Sequence, residues 1–250
     1  MSKRAPHHRR RSGKALFLTI PLLLAFLISG IADAQSVQPM AFDLEPVGAK
    51  ARETLTISNT TEGTLTLEMT ASAIVVKADG SEHWTPADEN FLIFPPTAII
   101  EPGKIQAVQV QYVGESELDE SVSYRVSVKQ VPVDLGNVEE SQIQVLVNFN
   151  TLANVVPSEA KALPVIEEIA DAADAGFWDV TLRNAGNRYF GFSKSSWYLS
   201  GGGQDHEIHG KEIAKINNSN LVLPNSVRTI RVPAPEGFVA ASTEIEVIAR

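Results

Sequence analysis

The chain has 250 residues, with 21 Lys and Arg against 30 Asp and Glu, a formal net charge of −9 and no cysteine. The acidic balance excludes nucleic-acid binding through a general basic surface. The missing thiols exclude disulfides, cysteine nucleophiles and thiolate metal sites.

The first 34 residues read as a secretory signal peptide. MSKRAPHHRRRSGK is basic, ALFLTIPLLLAFLISGIA is apolar, and Ala32-Asp33-Ala34 is a small-x-small cleavage site. Cleavage is expected after Ala34. The alternative is an uncleaved anchor, since the apolar run approaches the minimum for a span. With six basic and one acidic residue in that prefix, the remaining 216 residues carry a formal charge of −14. That length suits two sandwich domains better than one.

From residue 35 onward, period-two alternation dominates. RETLTISNT aligns Leu55 with Ile57; TLTLEMTA aligns Leu65, Leu67 and Met69; AVQVQYVG aligns Val108, Val110 and Tyr112. In SVSYRVSVKQVP, Val122, Tyr124, Val126 and Val128 face one way while Ser123, Arg125, Ser127 and Lys129 face the other. Turn signals at Asn59–Gly63, Asp79-Gly80, Pro95-Pro96 and Pro102-Gly103 separate the runs. His83 stands alone in GSEHWTP and is expected in a turn. The run IQVLVNF sets Ile143, Val145, Val147 and Phe149 on one face. Such a row is a core face or a surface for another chain, and the alternation does not say which.

A junction is expected near residues 153–160. The segment 157–176 is rich in Ala and Glu, so propensity favours a helix in part of it. Strands then resume: FWDVTLRN aligns Trp178, Val180 and Leu182, and YFGFSKSSWYL, RTIRVPA and TEIEVIAR follow. The pattern as a whole predicts an all-β chain of two β-sandwich domains, residues 35–156 and 157–250.

Chemistry-bearing motifs are sparse. His206 and His209 in DHEIHG would point to opposite faces of a strand and lack the helix that aligns a metal pair, so a solvated loop is expected. GGGQ at 201–204 is a Gly-rich turn, not a phosphate cradle. No nucleophile elbow occurs, and Glu139-Glu140 and Glu167-Glu168 are adjacent carboxylates that suit a solvated face. Trp84, Trp178, Trp197 and Tyr198 fit core and turn positions better than a carbohydrate platform. No enzyme activity, cofactor or metal is expected.

Several stretches, in order, resemble the periplasmic pilus-assembly chaperones (PapD-like). TLTISNTTEGTLTLEMTA is similar to their first hairpin, and FLIFPPTAIIEPGKIQAVQVQYVGE to the block that follows. SVSYRVSVKQVPV is similar to their strand ending in Val/Ile-Pro, VTLRNAGNRYFGF to their Asn-x-Gly-Asn-Arg segment, and LVLPNSVRTIRVP to a Leu-Pro-Gly-Ser-x-Arg segment. The resemblance implies two immunoglobulin-like sandwiches in a boomerang arrangement. It implies that 157–176 leaves the junction extended, which is the form expected here over the helix. It also implies that Ile143, Val145, Val147 and Phe149 form a donor strand lent to a fimbrial subunit, by strand addition.

The implied partners are pilus or fimbrial subunits and an outer-membrane usher. A self-capping homo-oligomer is an option for the unbound chain, and the implied location is the periplasm. The runner-up is a structural or adhesive surface protein. Many family members grip the subunit's terminal carboxylate with two basic residues. The matching positions here are Asp43 and Leu152, so that anchor does not carry over. The Tyr-Arg pair in SVSYRVSV resembles the archaic branch and makes Arg125 the carboxylate candidate, with Lys129 second.

Overall fold

The computed structural model describes residues 35–132 and 146–249. In its first half lie β1 (Ser36–Gln38), β2 (Ala41–Leu44), β3 (Arg52–Ser58), β4 (Leu65–Val76), β5 (Glu82–Pro86), β6 (Phe91–Phe94), β7 (Thr97–Ile100), β8 (Ile105–Tyr112), β9 (Val122–Gln130) and β10 (Asn148–Val155). One sheet runs β1-β3-β8-β6. The other runs β2-β10-β9-β4-β5, with β7 also pairing β4. His83 therefore lies in the edge strand β5, not in a turn.

The alternating rows predicted from sequence become the two inner faces. Leu55, Ile57, Leu65, Leu67, Val108, Val110, Val126 and Val128 are buried in one cluster. Each such side chain contributes roughly 1.5–3 kcal/mol by leaving water. Within it Phe91 meets Tyr112 and Tyr124 edge-on, with the Phe91 and Tyr124 centroids 4.9 Å apart.

The second half contains β11 (Pro164–Asp171), β12 (Phe177–Asn184), β13 (Phe190–Gly191), β14 (Ser195–Gly201), β15 (Gln204–His209), the helix α1 (Gly210–Ile216), β16 (Leu221–Val222), β17 (Val227–Pro233) and β18 (Glu244–Ala249). Sheets β11-β12-β17 and β15-β14-β18 enclose a separate core around Trp178, Val180, Leu182, Phe192, Trp197 and Ile230.

The segment with helical propensity is strand β11. Its pairing with β12 and the packing of Ile166 and Ile169 on the second core outweigh propensity, and a bulge between Ile166 and Glu168 resets the register. The His206–His209 segment is strand β15, not a loop; His206 lies beside the Phe238 ring. Gly202 and Gly203 adopt positive φ in the tight turn between β14 and β15.

Two asparagines end equivalent strands and organise the turns that follow. Asn59 is fully buried; its Nδ2 donates to the Gly63 and Ile100 carbonyls, and its Oδ1 accepts from Thr61. Asn184, also fully buried, donates to the Arg188 and Leu223 carbonyls and accepts from the Leu163 and Gly186 amides. A short amide side chain supplies both donors and acceptors to turn backbone that no ladder satisfies.

Candidate functional site

The strand β10 carries the end of the row singled out in the sequence. It pairs antiparallel with β9 from Asn148↔Lys129 to Val155↔Val122. On its other side, β2 pairs in parallel with Leu152–Val155 only. Among the described residues, no strand covers that side at Asn148–Thr151. This half-strand is a free edge with its inner face continuous with a core, a template for strand addition.

Along β10 the odd positions face inward. Thr151, Ala153 and Val155 are fully buried, and Phe149 packs against the first core. Val147 precedes the strand, half-buried, and its amide donates to Gln130 Oε1 at 3.3 Å. Ile143 and Val145 lie outside the described residues. Of the predicted row, Phe149 thus leans on its own domain, and Val147 stands at the open end.

Arg125 does not present a free guanidinium. Its Nη2 and Nε donate to Glu82 on β5 at 2.7 and 3.2 Å, and its guanidinium lies 5.9 Å from the Trp84 ring centroid. Glu82 also accepts from Trp84 Nε1 at 2.9 Å and from the Ser219 hydroxyl at 3.0 Å. Burial alone would raise the Glu82 pKa. The Arg125 hydrogen bond and charge, with the Trp84 and Ser219 bonds, hold it below the usual carboxylate range. Lys129, opposite Asn148 on the exposed side of β9, has no ion pair among the described residues.

The two family anchor positions serve the junction between the sandwiches. Leu152 packs with Ile74, Val76, Tyr189, Leu221 and Leu223 in an apolar cluster drawn from both halves. Asp43 accepts from Arg188 Nη2 at 2.6 Å, from the Tyr189 hydroxyl, and from Asn154 Nδ2 at 3.2 Å. Burial, with the hydrogen bond and charge of Asp43, pushes the Tyr189 hydroxyl pKa up.

The Asn184-Ala185-Gly186-Asn187-Arg188 segment makes the rest of this contact. Asn187 donates to the Asp119 carbonyl, and Tyr189 N to the Ser121 hydroxyl. Gly186 lies so close to the chain that a Cβ there would sit 2.2 Å from the Lys161 carbonyl oxygen. A second contact comes from the β4–β5 hairpin. Thr229 N donates to the Ala78 carbonyl, and Arg228 lies buried beneath Gly80, 5.5 Å from the Phe192 ring centroid.

The sequence reading missed Glu82, Arg188, Tyr189 and Ser219. Arg188 alone had a signal, its place in the Asn-x-Gly-Asn-Arg segment. The partners lie far apart in sequence, and nothing local marks them.

Residues 45–156 match the model of the pili and flagellar-assembly chaperone family, PapD N-terminal domain. Over that stretch the chain is similar to the N-terminal domain of the PapD-like chaperones. Several solved PapD-like folds align along most of it. The Class 5 fimbriae chaperone CfaA aligns at 14% identity with a TM-score of 0.55, over 86% of this chain and 98% of that one. A chain of the CsuC–CsuE chaperone–tip adhesion subunit pre-assembly complex, from archaic chaperone-usher Csu pili of Acinetobacter baumannii, aligns at 13% identity with a TM-score of 0.53. That alignment covers 80% of this chain and 90% of that one. A chain of the Salmonella enterica SafA pilin–SafB chaperone complex aligns at 17% identity with a TM-score of 0.52, over 87% and 90%. At these identities the likeness shows the fold, two immunoglobulin-like β-sandwiches. No curated protein matches the chain. Among the described residues, no helix is long and apolar enough to cross a membrane, and no three His, Asp or Glu side chains converge as metal ligands.

Proposed function

We propose that this pilus-assembly chaperone binds fimbrial subunits by donor-strand complementation in the periplasm, after removal of residues 1–34, and delivers them to an outer-membrane usher. The observation that carries this reading is the edge of β10 at Asn148–Thr151, left uncovered among the described residues, which the sequence precedes with the alternating apolar residues Ile143, Val145 and Val147 before Phe149. A subunit that lacks one strand gains main-chain hydrogen bonds from that edge and apolar side chains from that row. The chaperone in turn hides an unpaired edge and a bare core. The unbound chain can cap the same edge with a second copy.

No enzymatic step, nucleotide or cofactor enters this reading. Assembly runs on subunit folding and strand exchange. Because Arg125 is held by Glu82, we assign the carboxylate contact to Lys129, with Arg125 as the positioning residue of β5 against β9. The domain boundary is assigned at 156/157, where β10 has ended and the second core has yet to begin.

A native mass spectrum of the tagged protein drawn from its own periplasm tests the reading. A one-to-one complex with a small β-rich protein is expected. Val147→Asp is expected to abolish it while leaving the carrier's melting temperature unchanged. A spectrum of monomer or homo-oligomer alone, in cells making surface fibres, overturns the reading in favour of a structural surface protein.

A further inference from the structure

The second sandwich carries a cleft of about 810 Å³ lined by the charged residues Arg188, Lys194, Lys211, Glu212 and Lys215, with His209 and serines beside them. In a chain of −14 after the prefix, four of the fifteen remaining basic residues line this one cleft. The Arg188 charge is engaged by Asp43. Lys194, Lys211 and Lys215 have no ion-pair partner among the described residues, and Glu212 is the one acid in the lining; His209 has Glu207 beside it at 3.7 Å.

These charges lie on two adjoining elements. Lys211 and Lys215 are one turn apart on α1, about 6 Å along its surface. Lys194 ends the 3-10 turn Phe192–Lys194 that packs against α1. Spread point charges suit successive carboxylates on an extended segment, whereas a single phosphate wants donors converging on one place.

The place of the cleft supplies the partner. Arg188, on its rim, bonds Asp43 of β2, and β2 is the strand that ends the free edge of β10 at Leu152. Asp43 lies opposite Asn154, three residues beyond Thr151, or roughly 10 Å along the strand. A chain laid on the free edge therefore ends roughly 10 Å from Asp43 and the rim residue it holds, within reach of a flanking segment. We propose that the cleft is a second, electrostatic contact for the bound subunit and takes an acidic segment flanking its pairing strand. This rests on the chaperone reading above.

Such a contact steers encounter and responds to salt. The probe is a labelled glutamate decapeptide, followed by fluorescence anisotropy at low and raised salt. The intact chain is expected to bind it at low salt and release it as salt rises, with inorganic phosphate a poor competitor. The exposed triple variant K194E/K211E/K215E is expected to lose at least tenfold in peptide affinity, and to recover less subunit than the unaltered chain when co-produced with it. Val147→Asp is expected to keep peptide binding while losing the subunit.

Equal peptide affinity in the triple variant, or efficient competition by phosphate, overturns the acidic-segment assignment. Unchanged subunit recovery by the triple variant overturns the second contact and leaves the chaperone reading standing. Retention of the subunit by Val147→Asp overturns the chaperone reading itself. Circular dichroism of each variant separates lost folding from lost binding.

Discussion

Removing either partner of the Glu82–Arg125 pair tests whether this arginine holds the fold or meets a partner. The pair has two bonds, at 2.7 and 3.2 Å, and side-chain exposures of 14% for Glu82 and 20% for Arg125. Breaking a fully buried pair costs about 3–5 kcal/mol, most of it from the charge left behind. With about a fifth of Arg125 in water, that penalty is discounted to about 2–3 kcal/mol for Glu82→Ala. That change also strips the acceptor from Trp84 Nε1 and the Ser219 hydroxyl. Arg125→Ala leaves Glu82 with those two donors, so about 1–2 kcal/mol is expected. The two losses share one interaction, so the double variant should fall short of their sum by about 1–2 kcal/mol. Urea unfolding followed by tryptophan fluorescence reads all four corners of the cycle. A coupling below about 0.5 kcal/mol, within the range of exposed pairs, refutes the positioning role of Arg125. If Arg125→Ala leaves stability intact but weakens subunit binding, the carboxylate role returns to Arg125.

The pair also gives a pH limb. Because the Glu82 carboxyl is held below its unfolded value, its contribution is present above the ordinary Glu range and is lost as pH falls through the folded pKa. Glu82→Gln should flatten the acid side of a stability-against-pH profile. Gly186→Ala drives a Cβ to 2.2 Å from the Lys161 carbonyl oxygen and should cost about 3 kcal/mol, seen as lost soluble yield or a fall in melting temperature. Asn184→Ala removes two donors and two accepted amide bonds from a buried turn, and should cost about 2–4 kcal/mol in urea unfolding. Leu152→Lys should lower the urea midpoint and fail to strengthen subunit binding, since the side chain would enter the apolar junction cluster.

The alternating strands were legible because each buries one face: Leu55 and Ile57, Val126 and Val128, Val180 and Leu182 all point inward as the period requires. Strands of two to four residues, such as β1, β13 and β16, are too short to show a period. Helix α1 has seven residues and a single fully buried apolar contact, Ile213, and offers no amphipathic stripe to read. The β11 segment misleads propensity because Ala and Glu favour helices locally, while its partner β12 lies beyond a turn. For the site, alternation placed Phe149 on a face but could not say whose core that face meets. The junction was illegible for a different reason. Asp43 and Arg188 are 145 residues apart, and a lone acid and a lone arginine look like surface residues until the fold brings them to 2.6 Å.

The departures at Asp43 and Leu152 are coupled by the same geometry. They sit on neighbouring strands, with Leu152 opposite Ala41 and Asp43 opposite Asn154. A cation at 152 would have to enter the cluster of Ile74, Val76 and Leu221, where its charge loses water without gaining an acid. An acid at 43 recruits Arg188 and Tyr189 from the second sandwich. Both positions are therefore committed to fastening one sandwich to the other. On the chaperone reading proposed above, a cation for a subunit's carboxylate is then to be sought elsewhere on the sheet. On that reading Lys129 is the proposed cation: it lies at the open end of β9, opposite Asn148, and among the described residues no ion pair engages it.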